Sequence, residues 1–171
     1  MGAVEHTANV FHDVIEKCGR PIDFEMSIDE TSCTTTPEAH LFVAKELEKR
    51  GVAVTSLAPR FCGEFQKGIE YKGDIEQFTR EFSAHVEIAK KYGYKISVHS
   101  GSDKFAVFPV IGQRSGGVYH LKTAGTNWLE ALRVIAAKEP GLFREICAFA
   151  LANLAEAKKL YCEIIAFLYF I

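Results

Sequence analysis

Short runs of alternating apolar and polar residues recur along the chain, separated by longer stretches of helical periodicity. In the first run, IDFEMSI, the side chains of Phe24, Met26 and Ile28 share one face of an extended backbone, and Glu25 and Ser27 share the other. Three further β-rich runs follow, and we predict strands at residues 22–28, 52–58, 94–99 and 118–122. Strands that alternate with helical segments are typical of βα units in a parallel sheet.

Helix signals occupy the segments between these runs. Thr36 suits an N-cap, Pro37 suits the first helical position, and Gly51 ends the same segment. We predict helices at residues 3–17, 36–50, 73–92, 128–138 and 142–160, with a mixed segment at 104–117. The sum is an α/β fold over residues 1–160, a partial TIM (β/α)8 barrel of about four βα units, with a doubly wound sheet as the competing topology. The remaining residues, 161–171, form an apolar tail that we expect to be aberrant.

Polar residues gather at the ends of the predicted strands. Asp29, His99 and Lys122 fall at the carboxyl ends of three strands, where barrel enzymes place catalytic groups, and Glu25 and His120 lie deeper on the same inward faces. Carboxylate and imidazole together are an ordinary ligand set for Zn, Mn, Fe or Ni. The sequence therefore predicts a divalent metal ion, of unknown identity, with Asp29, His99 and His120 as candidate ligands.

Structural roles compete with these interpretations. His120 is as well explained by a hydrogen-bonded core histidine, and Glu25 by a pairing with a neighbouring lysine. Four histidines on predicted helices, with no matching carboxylate spacing, are expected at the surface: His6, His12, His40 and His85.

Basic residues and small-residue loops suggest an anionic ligand. Arg60, Lys104 and Lys122 add positive charge that suits a carboxylated sugar. The loop that begins at Ser100 and the loop that begins at Thr123 are rich in Ser, Thr and Gly, which leaves backbone N–H groups available for an anion. Neither loop has a nucleotide-binding glycine pattern.

Bulk properties narrow the class of protein. The 171 residues suffice for one buried domain, and the formal net charge of −2 argues against nucleic acid as a partner. The first 17 residues lack a signal-peptide core, and the apolar run at 164–171 is too short to span a bilayer. Five cysteines without zinc-knuckle spacing indicate reduced thiols in a cytoplasmic protein. We expect a small-molecule partner and no membrane contact, and we leave a homo-oligomer open.

Four polar strings resemble the tagaturonate/fructuronate epimerase family. They are DFEMSIDET (23–31), SLAPRFCGEFQKGIEYKGD (56–74), KISVHSGSDKF (95–105) and HLKTAGTNWLEALRVIA (120–136). The resemblance implies a metal-dependent barrel that interconverts D-tagaturonate and D-fructuronate in bacterial hexuronate breakdown. A metal-dependent barrel isomerase or aldolase for other sugars, and a non-catalytic sugar-acid-binding fragment, remain as alternatives.

Epimerisation at C4 of these ketoses implies a retro-aldol reaction, since the hydrogen on C4 is not acidic. In that scheme Asp29 or Glu30 holds the metal with His99, and Asp103 or Glu30 acts as acid and base. Basic residues and loop hydroxyls bind the uronate: Arg60, Lys104, Lys122, Ser100 and Thr123.

The chain also departs from the family pattern. Family members are longer, and the pattern changes after Leu160-Tyr161 to Cys162-Glu163 and then to the apolar string IIAFLYFI (164–171). We therefore expect an open half-barrel that aggregates or dimerises unless another chain completes it, with little or no epimerase activity alone.

Overall fold

Four short parallel strands form the centre of the computed structural model, which describes residues 2–125 and 127–160. The strands are β1 (Glu25–Ile28), β2 (Ser56–Pro59), β3 (Lys95–Val98) and β4 (Tyr119–Leu121). They pair in chain order, β1-β2-β3-β4, and every pair is parallel. The predicted α/β fold with a parallel sheet is confirmed. The predicted tail, 161–171, lies outside the described residues.

Helices alternate with the strands. They are α1 (Gly2–Val10), α2 (Pro37–Lys49), α3 (Ile75–Tyr92), α4 (Phe108–Ser115), α5 (Asn127–Lys138) and α6 (Pro140–Leu160). As predicted, the Thr36 hydroxyl caps α2 by accepting from the Ala39 N–H at 3.2 Å. None of these helices, within the described ranges, is long and apolar enough to cross a membrane.

The strands and some helices differ in extent from the predictions. Each strand is shorter than predicted. Residues just outside the ladder, such as Thr55, still bond to both neighbouring strands: its N–H donates to the Phe24 carbonyl at 2.7 Å, and its carbonyl accepts from the Lys95 N–H at 2.9 Å. The predicted first helix is α-helical only to Val10 and continues as a π-helical turn and a 3-10 turn to Cys18. The mixed segment 104–117 contains α4, with Pro109 in its first turn.

Two apolar clusters pack against the sheet. The first lies between β3 and the helices α3 and α4 and includes the stacked rings of Phe78 and Phe82, whose centroids lie 5.3 Å apart. The second packs α1 and α2 against β1 and β2 around Met26 and Leu57. Burial of this apolar surface is the main favourable term in folding, and it fixes the sheet from which the polar residues project.

The prediction that His40 and His85 lie at the surface is wrong. Both are fully buried where α2 packs against α3. Their Nδ1 atoms lie 2.9 Å apart, and His40 Nε2 lies 2.8 Å from the Tyr94 hydroxyl. Burial lowers the pKa of His40 to about 3 and that of His85 to about 4, so both rings are neutral. A neutral imidazole that finds a hydrogen-bond partner can occupy a core position. The spacing of carboxylates along the sequence does not reveal such a partner.

Candidate functional site

The polar side chains of the strands meet on one face of the sheet. The register pairs Glu25 with Ser56 and Ser97 with His120. Since side chains at paired positions of neighbouring parallel strands point to the same side, this register brings together residues far apart in sequence. The alternation in β1 placed Glu25 on this polar side.

Glu25 is the centre of this polar group. Its Oε1 lies 2.6 Å from His99 Nε2, and its Oε2 lies 2.8 Å from His120 Nδ1 and accepts a hydrogen bond from the Ser56 hydroxyl. The Ser97 hydroxyl lies 3.0 Å from the same His120 nitrogen. Glu25 thus pairs with two imidazoles.

His99 lies between two carboxylates. Its Nδ1 lies 2.8 Å from Asp29 Oδ2, and its Nε2 contacts Glu25, while only 8% of the side chain is exposed. Burial alone would lower the pKa of His99, but the hydrogen bonds to Asp29 and Glu25 outweigh it and raise the pKa. The group therefore favours an imidazolium with a carboxylate on each side.

The two carboxylates are correspondingly acidic. Burial alone would raise the pKa of Glu25, but hydrogen bonds from Ser56, His120 and His99 lower it to about 2. For Asp29, the hydrogen bonds from His99 and Ser27 overcome burial in the same way, and the pKa is about 2. Both groups are anionic at neutral pH, and the row Asp29–His99–Glu25–His120 can hold and pass protons.

The donor chemistry of this row suits a divalent metal, but its arrangement is that of a hydrogen-bonded network. Both nitrogens of His99 face carboxylate oxygens at 2.6 and 2.8 Å. Two ligands of one metal at about 2.1 Å each stand roughly 3.0–3.4 Å apart, so a proton fits these gaps better than a metal. Across residues 2–125 and 127–160, no group of three or more His, Cys, Asp or Glu is arranged to hold a metal ion.

The acid/base candidates have different surroundings. Glu30 is exposed in the turn after β1. Asp103 lies in the loop after β3 with φ 60, and its Oδ2 is buried without a hydrogen-bond partner. A buried carboxylate oxygen without a partner is costly, and such atoms often mark functional positions. The structure therefore distinguishes Asp103 from Glu30 by burial.

The cationic candidates divide into exposed and buried groups. The exposed Arg60 guanidinium donates to the Thr31 carbonyl, which places it beside the turn that follows β1. Lys122 is exposed at the end of β4. Lys104, in contrast, is fully buried, and its Nζ donates to three backbone carbonyls. Its side chain is therefore directed into the protein.

The remaining candidates lie in the loops after β3 and β4. Ser100 is half-buried with φ 50, and Thr123 is exposed. The two loops touch, because the Gly101 N–H donates to the Lys122 carbonyl at 3.0 Å. The predicted residues of these loops consequently lie at the same edge of the sheet as His99.

Three members of the site were not among the residues predicted from the sequence. Glu25, Ser56 and Ser97 interact directly with one another or with the histidines, yet none was proposed as a functional residue. The alternation in strand β1 did place Glu25 on the polar face. The missing information was the register, which decides what each polar residue meets.

Comparison with known proteins agrees with the sequence motifs. The UxaE family model, described as tagaturonate epimerase, matches residues 1–167. The chain is 49% identical over 160 residues to the tagaturonate/fructuronate epimerase of Thermotoga maritima, covering 93% of this chain and 33% of that protein.

This chain is also similar to crystal structures of the fructuronate-tagaturonate epimerase UxaE from Cohnella laeviribosi. The native structure has a TM-score of 0.86 at 50% identity and covers 93% of this chain and 32% of that one. A complex with one glycerol gives a TM-score of 0.85 at 50% identity, over 92% and 32% of the two chains. The chain thus spans about a third of the length of these relatives. On the sequence motifs, the family match and the shared structure, the chain belongs to the tagaturonate epimerase family.

Proposed function

We propose that this chain carries part of the active site of an enzyme that interconverts D-tagaturonate and D-fructuronate at C4. The observation that supports this most directly is the row Asp29–His99–Glu25–His120, on one face of a parallel sheet and close to the carboxyl ends of its strands. Sequential parallel strands with intervening helices also suit a partial (β/α)8 barrel, in which active sites lie at that end.

The reaction we propose is a retro-aldol cleavage followed by aldol addition. A base removes the proton of the C4 hydroxyl, and the C3–C4 bond breaks to leave an aldehyde at C4. The electron pair of the broken C3–C4 bond passes to C3 and the C2 carbonyl. The aldehyde rotates, the C3–C4 bond forms again on the other face, and the proton returns to the C4 oxygen. The hydrogen on C4 never leaves carbon in this scheme.

The row Asp29–His99–Glu25–His120 would hold a divalent ion only if its side chains rearranged, with Asp29, His99 and His120 as ligands and Glu25 beside them. The ion would supply charge stabilisation at the C2 oxygen. Both ring nitrogens of His99 face carboxylates, so binding would also require His99 to lose the proton on the nitrogen that turns to the ion.

Acid/base work is assigned to Asp103, with Glu30 as the second candidate. Among residues 2–125 and 127–160, the buried Oδ2 of Asp103 has no hydrogen-bond partner, and we assign it to a substrate hydroxyl. We expect the row centred on Glu25 to take up or return the proton, since neighbouring members of the row lie 2.6 to 2.8 Å apart.

Charge complementarity supports a carboxylated substrate. Arg60 and Lys122 are exposed cations near the carboxyl ends of β2 and β4, and Ser100 and Thr123 add hydroxyls at the same edge. A guanidinium binds a carboxylate through two parallel hydrogen bonds, which would fix the orientation of the uronate. Lys104 is fully buried, and its ammonium donates to backbone carbonyls of the neighbouring loops.

A chimera tests this proposal. Residues 1–160 replace the matching third of the Thermotoga maritima relative, and the chimera is assayed with D-fructuronate in D2O after loading with Zn, Mn, Fe or Ni. We expect epimerisation without deuterium at C4, and at least a hundredfold lower kcat for His99→Gln, on the order of the effect of losing a general acid/base or metal ligand. Deuterium at C4 contradicts the retro-aldol scheme, and full activity of His99→Gln contradicts the site.

A further inference from the structure

Hydroxyl side chains join neighbouring loops at the carboxyl edge of the sheet. The Thr35 N–H donates to the Arg60 carbonyl at 2.8 Å, and its Oγ1 accepts from the Arg60 N–H at 3.0 Å. Ser102 makes the equivalent pair with Ala124, accepting from its N–H at 2.8 Å and donating to its carbonyl at 3.0 Å. These contacts tie the loop after β1 to that after β2, and the loop after β3 to that after β4.

Lys104 supplies the connection between the two pairs of loops. Its ammonium donates to the carbonyls of Gln66 and Ile69, both at 2.6 Å, in the loop after β2. It also donates to the carbonyl of Ser102 at 2.8 Å, in its own loop after β3. All four loops are therefore joined in order, and Lys104 links the middle two.

Burial of the Lys104 ammonium carries a desolvation penalty. A fully buried ammonium loses its hydration, and this loss is tolerated only when its N–H groups find good acceptors. Lysine has three such donors, and the three carbonyls match them. Directed at backbone carbonyls, these donors hold the loops in place.

The loop after β3, which contains Lys104, is strained. Ser100 and Asp103 have φ values of 50 and 60, in the left-handed region that non-glycine residues rarely occupy. Non-glycine residues in this region carry a steric cost, and they persist only where the surroundings hold them. His99 begins this loop, and the Gly101 N–H bonds to the Lys122 carbonyl, two residues beyond His120. Loop geometry and imidazole placement are thus coupled.

We propose that Lys104 is a positioning residue, whose buried ammonium locks the loops after β2 and β3 together and thereby keeps His99 in its contacts with Glu25 and Asp29. The inference rests on the proposed function, which gives His99 its role in the active site. Its test requires no uronate and no metal, so its failure is distinct from a failure of the epimerase assignment.

The test compares Lys104→Met with Ser102→Ala by amide hydrogen exchange and by nitrogen NMR of the His99 ring. The matched control is Lys90→Met, which removes an exposed lysine paired with Glu87 on α3. In Lys104→Met we expect the amides of Glu64 and Gly101 to exchange on the order of tenfold faster, and the ring signals of His99 to move. In Ser102→Ala we expect the same acceleration at Ala124, and in the control no change.

A purely structural role predicts a different pattern. Loss of overall stability would accelerate the core amide of Val86 as much as that of Glu64 and would leave the His99 ring signals of the folded state in place. That result, or unchanged exchange at Glu64 and Gly101, overturns the proposal. If Lys104→Met does not fold, the wild-type ammonium decides: its protons should show couplings to the carbonyls of Gln66, Ile69 and Ser102, and their absence overturns it.

Discussion

His99 and Glu25 stand 74 positions apart in the chain, yet His99 Nε2 lies 2.6 Å from Glu25 Oε1. The contact crosses β2 and joins the first strand to the third. Because Asp29 contacts the other ring nitrogen, the orientation of His99 is fixed from both sides. The reactive group of the site is therefore a product of three strands in register.

Glu25→Gln should lower the pKa of His99. The substitution keeps the shape of the side chain but removes a negative charge that stabilises the imidazolium, so burial of the ring then counts for more. The measurement is an NMR titration of the His99 ring. Glu87→Gln, at an exposed pair on α3, is the control and should leave the titration unchanged. An unaltered His99 titration in Glu25→Gln would show that the contact has no energetic weight.

Asp29→Asn and Glu30→Gln should separate the two acidic residues that the sequence left equivalent. Asp29 contacts His99 at 2.8 Å, whereas Glu30 is exposed. We expect Asp29→Asn to lower the pKa of His99 and Glu30→Gln to leave it unchanged, measured by the same titration. A larger effect of Glu30→Gln would contradict the assignment of Asp29 to this group.

Acid should destabilise the protein through the buried histidine pair. The pKa values of His40 and His85 are about 3 and about 4 in the folded state, below the ordinary value of 6.5. As the pH falls below about 6.5 the unfolded chain takes up protons that the folded chain refuses, so stability falls by about 1.4 kcal/mol per pH unit for each ring. The loss continues until the folded pKa values are reached.

The window between pH 6 and 5 isolates this effect. The stability contributed by Glu25 and Asp29 is lost at lower pH, between their ordinary values of 4.5 and 3.8 and their folded values of about 2. The free energy of unfolding, measured with urea across this window, should fall less steeply with decreasing pH for His85→Gln than for the wild type. The exposed His6→Gln is the control. Equal slopes would mean that the pair does not resist protonation.

Gly101→Ala should destabilise the edge of the sheet by about 1–3 kcal/mol, the usual cost of overpacking. A Cβ at this position would stand 2.3 Å from Leu121 Cδ1 and 3.0 Å from Leu121 Cγ. Gly112→Ala in α4, with nothing within 4 Å of the added carbon, is the opposite case and should stabilise by about 0.5–1 kcal/mol.

A double-mutant cycle identifies the cause of the Gly101 effect. If the clash with Leu121 is responsible, Gly101→Ala combined with Leu121→Val should cost less than the sum of the two single changes. Urea unfolding of the four proteins provides the comparison. Strict additivity would show that the cost arises elsewhere in the loop.

The sequence by itself determined the order of strands and helices, and the side of β1 that carries polar groups. Local rules suffice for these features, since the N-cap at Thr36, the glycine stops and the two-residue alternation of IDFEMSI depend on neighbours in the chain. The motif strings likewise identified the family. The sequence also placed Asp29, His99 and Lys122 at the carboxyl ends of their strands.

Only the tertiary structure decided what each polar residue meets. Glu25 became the centre of the site because the register sets it against Ser56 and near His99 and His120. His40 and His85 became buried because two helices pack face to face, and Lys104 because two loops offer it three carbonyls. Such pairings depend on distances between residues that are remote in the chain. The alternation of residues along a single segment carries no information about those distances.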